Sequence, residues 1–311
     1  MQTDSKPATD QVRRFIFEQR PVRGHWVHLQ SAWRELRTHS NYPQPVEELL
    51  GQAVSAVVLL AATLKFRGTL TFQLQGNGAV SLLVAQCTHD FQLRAVARYE
   101  ETAIAALPSG ASTAALFHRL VGSDGRITVT VEAEEKSMRY QGVVPLEGDS
   151  LAASLEAYFA TSEQLPTRVV LAADRECAAG LLVQKLPQAE PAPEEAAAGV
   201  WQEAQAGIAR VAPRELLRAP VEPLLAQAFA GEDLRLFRAT PVRFECRCSQ
   251  SRVAGVLRAL GVGEIRDVLR EQGSVTVTCE FCQRPYRFDS IDIETLFADA
   301  PEPSEDPPAL H

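Results

Sequence analysis

Six cysteines occur in the 311-residue sequence, and four of them, Cys246, Cys248, Cys279 and Cys282, fall within 37 consecutive positions. They form a Cys-x-Cys pair and a Cys-x-x-Cys pair separated by 30 residues, Ser249 to Thr278. Thiolates are soft ligands, and two closely spaced pairs brought together from separate stretches supply the tetrahedral four-sulfur set that zinc takes in structural sites. In a reducing compartment such clusters bind metal or do redox chemistry more often than they form permanent disulfides. The spacing predicts one zinc ion held by all four residues.

The elements that must position these thiols form a small module from about Pro241 to Leu296. A strand-like PVRFE leads into the first pair, and SVTVT leads into the second, with Tyr286-Arg287-Phe288 leaving it. Two helices fill the gap between the pairs. The first starts near Ser251, carries Val253, Val256, Leu257 and Leu260 on one face, and stops at Gly261; the second starts at Glu264, carries Ile265, Val268 and Leu269, and stops at Gly273. About 50 residues rarely bury enough apolar surface to fold unaided. A structural zinc ion contributes on the order of 10–16 kcal/mol at neutral pH, which makes up the deficit. Were oxidation to join cysteines within each pair, the closed loops would be tiny, and crosslink stabilisation grows with loop length. One long-range clamp would be exchanged for two local ones, so release of the metal and local unfolding are expected.

The first ~187 residues read as an α+β domain of hairpin strands with a few helices. Asp10–Phe17 and Gly24–Leu29 read as strands around a Pro21–Gly24 turn, and Pro45–Phe66 as a long buried helix. Period-two alternation in GTLTFQLQG and AVSLLVAQC, around Gly76-Asn77-Gly78, predicts a β-hairpin. Strands follow at 93–99, 126–132, 139–145, 169–173 and 180–186, with helices at 112–120 and 151–165, the latter capped by Ser150. Composition breaks at Pro187, where PQAEPAPEEAAAG reads as linker. Three short apolar-striped helices are expected in 188–240, starting near Val200, Pro213 and Pro223. Helices this short persist only when docked, so the segment is expected to fold conditionally. The tail, 297–311, is Pro-rich and acidic and is expected to be disordered.

A formal charge of −8 and 46% hydrophobic residues suit a globular protein and argue against general nucleic-acid binding. The N-terminus lacks an apolar secretory region, and the apolar stretch Ala53–Leu64 is too short to span a bilayer, so a cytoplasmic protein without membrane contact is expected. His25 and His28 fall on opposite faces of a strand and read as packing or surface residues. No nucleophile–base pair has local support, so no catalysis is expected.

The stretches RFIFEQRPVRGHWVHL, YPQPVEELLGQA, LLAATLKFRGTLTFQLQGNGAVSLLVA, RYQGVVPLEGDSLAASLEAYFATSEQLPTR, CRCSQSRV and VTCEFCQRPYRFD together resemble the bacterial redox-regulated heat-shock protein 33 chaperones. The resemblance implies an ATP-independent holdase, inactive while reduced and zinc-bound. It implies that oxidation, with heat or hypochlorous acid, forms Cys246–Cys248 and Cys279–Cys282 disulfides and releases zinc. The linker then unfolds, exposes apolar surface to unfolding client proteins, and the active form is a homodimer. Cys87 and Cys177 do not match that motif and read as ordinary strand residues.

Two other readings compete. A zinc-ribbon nucleic-acid module is weakened by the balance of eight Arg and six acids in Pro241–Ser290, without interleaved aromatics. A thiol–disulfide oxidoreductase using Cys279 and Cys282 lacks a helix N-terminus at the motif, because Gln283-Arg284-Pro285 and a strand follow it.

Overall fold

In the computed structural model, residues 10–108, 113–133, 139–187 and 194–298 are described. The chain opens with β1 (Gln11–Phe17) and β2 (Val22–Leu29), then α1 (Ser31–Thr38) and α2 (Gln44–Thr63). β3 (Gly68–Gln75), β4 (Val80–Thr88) and β5 (Gln92–Tyr99) form a meander, followed by α3 (Glu101–Ala105) and α4 (Thr113–Val121). β6 (Arg126–Ala133), β7 (Arg139–Pro145), α5 (Leu151–Tyr158), β8 (Thr167–Ala173) and β9 (Ala178–Lys185) complete the part expected to be α+β. Then come α6 (Glu194–Ala209), α7 (Pro213–Arg218), α8 (Val221–Ala228), β10 (Leu234–Leu236), β11 (Thr240–Pro241) and β12 (Arg243–Phe244). The chain continues through α9 (Gln250–Leu260), α10 (Val262–Gln272), β13 (Val275–Thr278), β14 (Pro285–Phe288) and α11 (Ser290–Ala298).

These elements fall into two units, residues 1–245 and 246–311. The larger holds two six-stranded sheets. One runs β10-β1-β2-β9-β8, with β11 also on β1; the other runs β12-β5-β4-β3-β6-β7. Helix α2 packs against strands of both sheets. It is apolar on every side, with 15 of its 20 residues buried, as a helix enclosed on all faces must be. Its length and mean hydropathy of 1.5 equal those of a membrane span, but 83% of the window is buried inside the protein. The buried Glu47 at its first turn pairs with Arg37 and Arg175.

The first sheet has two apolar faces. Val12, Val27, Leu29 and Leu182 point to α2, whereas Phe15, Phe17, Val22, Trp26, Leu181 and Val183 point away from it. The second face is covered by Ala204, Ile208, Val211, Leu216, Leu217, Val221, Leu224, Leu225, Ala228 and Phe229, all from the segment read as a linker. Two glycines permit close approach here. A Cβ on Gly24 would meet the Phe15 ring at 2.1 Å, and one on Gly207 would meet Phe229 at 2.5 Å.

Several expectations need revision. The PVRFE segment, read as the start of the C-terminal module, pairs instead with β1 and β5 of the larger unit. The helix expected at 151–165 stops at Tyr158 and continues as a π-helical turn, Phe159–Glu163, where Thr161 bonds back to the Ala157 carbonyl and Pro166 forbids continuation. α8 begins at Val221, so Pro223 lies within its first turn, where no N–H is needed. α1, α3, α11 and β10 fall outside the expected elements. Cys87 lies in β4, whereas Cys177 sits in the turn just before β9. Residues 188–193 of the linker and 299–311 of the tail lie outside the described residues, while Phe297 and Ala298 end α11.

Candidate metal centre

The smaller unit is built around a core of Val253, Leu257, Ile265, Val275, Tyr286, Phe288, Ile293 and Leu296. Strands β13 and β14 pair antiparallel, from Val275 opposite Phe288 to Thr278 opposite Pro285. Their turn carries the Cys-x-x-Cys pair. The Cys279 N–H donates to the Arg284 carbonyl (3.0 Å), the Gln283 N–H donates to the Cys279 carbonyl (2.8 Å), and Gln283 takes a positive φ of 52°. The fold of this turn aims both thiols the same way. On the other side, Cys248 is followed by Ser249, which caps α9 by accepting from the Arg252 N–H. Arg252 also donates to the Arg247 carbonyl at 2.7 Å, bracing the loop between the first two cysteines.

The four sulfur atoms lie within 4.8 Å of one another. The closest approaches join the pairs: Cys246 to Cys279 at 3.7 Å and Cys248 to Cys282 at 3.4 Å. Four sulfurs at about 2.3 Å from a tetrahedral zinc ion would stand about 3.8 Å apart, so the donor set fits the metal in both size and softness. All four side chains are half-buried thiols. Burial pushes Cys246 up and Cys282 up to about 12. Against the same burial effect, hydrogen bonds from Tyr286 and the neighbouring thiols draw Cys248 down to about 7.

Tyr286 escaped the sequence reading. Its hydroxyl donates to the Cys248 sulfur at 3.0 Å, orienting that ligand from behind. The signal was its place in β14, four residues after Cys282, on the strand face that also buries Phe288. The Cys279–Cys282 motif lies in a hairpin turn rather than at a helix N-terminus, so the dipole that activates an oxidoreductase thiol is missing.

Cys177, 2% exposed, stands apart from this cluster. Its sulfur lies 2.8 Å from an Arg218 Nη1 and 3.3 Å from the Leu217 carbonyl, both on α7, and Arg218 also pairs with Asp174 at 2.5 Å. His28 contacts the same Leu217 carbonyl at 3.1 Å. Burial pushes the Cys177 thiol up to about 11, with Asp174 adding to the effect and Arg218 opposing it. α7 thus covers the thiol.

Together these features define a chain with a two-sheet α+β unit, one sheet face sheltered by short helices, and a small unit carrying a four-thiol cluster. Residues 10–289 match the family described as Hsp33 protein. The chain belongs to the Hsp33 family of chaperones. It is 40% identical over 290 residues to the 33 kDa chaperonin of Nitrosococcus oceani, covering 93% of this chain and 95% of that one. The 33 kDa chaperonin of Pseudomonas paraeruginosa is 41% identical over 293 residues, covering 94% and 96%. The crystal structure of the 33 kDa chaperonin of Thermotoga maritima shares the fold, with a TM-score of 0.78 at 21% identity over 93% of this chain and 98% of that one.

Proposed function

We propose that this protein is a redox-regulated, ATP-independent holdase of the cytoplasm, switched by oxidation of Cys246, Cys248, Cys279 and Cys282. The carrying observation is the convergence of four sulfurs from two segments onto one point in a unit with a core of eight buried apolar side chains. Zinc, when bound there, supplies four metal–thiolate bonds that tie the Cys246–Cys248 segment to the β13–β14 hairpin.

The chain's own thiols perform the switch. Within each pair, two thiols react with one hypochlorous acid: an S–S bond forms, two electrons pass to chlorine, and chloride, a proton and water leave. Cys246–Cys248 and Cys279–Cys282 bonds consume all four ligands and leave the two segments untied. A crosslink from Cys246 to Cys279 would instead close a loop with a separation of 33 residues. On the chain-entropy model that bond stabilises by about 3.7 kcal/mol, against under about 2 kcal/mol for either local bond. The local pairing is the one that loosens the unit. The linker helices then leave the first sheet, and unfolding client proteins bind the apolar surface around Phe15, Phe17 and Trp26. The oxidised, active form assembles as a homodimer.

The test is to treat the reduced, zinc-loaded protein with hypochlorous acid and follow metal release, the disulfide map and suppression of client aggregation together. Metal release and holdase activity should rise in step, with disulfides inside each pair. An oxidised, metal-free protein that leaves a heat-denatured client to aggregate would sink the proposal.

A further inference from the structure

The α2-facing side of the first sheet carries two arginines, Arg14 and Arg23, that meet no carboxylate among the described residues, beside Arg235 opposite Ile16, which Glu18 balances. Arg14 stands directly opposite His25 in the β1–β2 ladder, and Arg23 lies two residues before His25 on the same strand, so all three leave the same face. Arg23 donates through Nε and Nη2 to the Gln184 side-chain oxygen, at 3.0 and 2.6 Å. Gln184 is fully buried and in turn donates to the Thr167 hydroxyl at 3.0 Å. The Arg14 guanidinium lies 5.2 Å from the centre of the Phe237 ring. Both guanidiniums are therefore held in place with N–H groups left over.

Several other arginines of this unit meet acids, as Arg13 does Glu222, Arg235 Glu18 and Arg168 Glu156, while Arg126, like Arg23, donates to a glutamine, Gln75. Among the described residues, Arg14 and Arg23 pair with no acid. Helix α2, which packs on this face, has no acidic residue from Leu49 to Thr63. His25 is 3% exposed, and its Nδ1 has no hydrogen-bond partner. The charged groups that act on it are Arg23 and Arg14; together with burial, the larger cause, they push its imidazole down to about 3. A buried polar atom without a partner is rare and calls for an explanation.

We propose that Arg14, Arg23 and His25 form a binding site for a phosphate-type oxyanion. A tetrahedral anion matches donors that come from two strands, and guanidinium is the side chain suited to bidentate phosphate contacts. Once bound, the anion reverses the field at His25 and lets the imidazole take up a proton and become a third donor. The anion is either free phosphate or the terminal group of a larger phosphate compound.

The test uses the full-length, reduced protein at constant ionic strength, titrated with inorganic phosphate and separately with tripolyphosphate. Heats are measured by calorimetry and the His25 ring by NMR. Saturable binding is expected, with His25 titrating at higher pH in the bound protein. Tighter binding of phosphate indicates an enclosed site for the free ion, and tighter binding of tripolyphosphate a site for a chain end. Arg14 is exposed, so R14Q should fold normally and weaken binding about tenfold or more, the effect of losing one charge-assisted hydrogen bond. H25E places a carboxylate where the anion would sit, so it should abolish phosphate binding and raise the melting temperature. Equal affinity in R14Q and wild type, an unmoved His25 titration at saturating phosphate, or no saturable heat would overturn the proposal.

Discussion

Phe229 offers the sharpest test of how the linker is held. It is 3% exposed and follows α8 directly, with its ring 5.2 Å from Phe17 in an edge contact and 5.9 Å from Phe15. Those two rings belong to β1, so this contact joins the last linker helix to the sheet. Truncating a buried Phe to Ala costs about 3–5 kcal/mol, including about 0.5–1.5 kcal/mol for each aromatic pair lost. At about 1.4 kcal/mol per decade, F229A shifts the docking equilibrium by roughly 10²- to 10⁴-fold. α7 and α8 are six and eight residues long, too short to persist undocked, so undocking is unfolding. The reduced variant should show fast amide exchange and protease cleavage across 200–229 while retaining its four thiols and its metal. It should also suppress client aggregation without oxidant. G207A reaches the same end from the opposite direction, because its methyl would sit 2.5 Å from the Phe229 ring and 2.7 Å from the Ala228 carbonyl. A reduced F229A protein with an exposed linker and no holdase activity would refute the idea that the linker shields the client-binding face. Unchanged exchange rates would refute the packing argument itself.

Y286F removes the donor behind Cys248 and should weaken metal affinity about 10- to 100-fold, measured by competition with a chromogenic chelator. C246S removes a ligand outright and should weaken it further, with loss of protease resistance in 246–298 even in reducing buffer. R218A breaks the pairing of α7 to Asp174 and Cys177, so maleimide should label Cys177 several-fold faster in the reduced variant; an unchanged rate would show that Arg218 does not hold α7 down. His25, held neutral to about pH 3 when folded, titrates near 6.5 when unfolded. The unfolded state therefore gains a proton first as pH falls, and stability present above pH 6.5 is lost toward pH 3 by about 1.4 kcal/mol per unit. Urea midpoints in phosphate-free buffer should show this slope, and H25Q should remove one proton's worth of it.

Local pattern carried much of the structure. Period-two alternation is enough for the β3–β4 hairpin, where Leu70, Phe72 and Leu74 are all fully buried. The all-round apolarity of α2 marks a core helix, and Ser249 and Ser150 cap the helices that follow them. Where expectation and structure part, a distant partner decides. PVRFE has the period of a strand, but periodicity says nothing about which sheet it joins, and backbone hydrogen bonds from β1 and β5 claim it. α7 and α8 are too short to be stable alone, and the sheet face beneath them supplies the burial that orders them.

By itself, the sequence determined the metal-ligand candidates and the strands and helices that flank them, because ligand spacing and side-chain periodicity act over a few residues. The tertiary structure alone decided that Tyr286 backs Cys248, that α7 covers Cys177, and that Arg14 and Arg23 share one face and pair with no carboxylate among the described residues. Those relations depend on register and packing between segments far apart in the chain, and no local window records them.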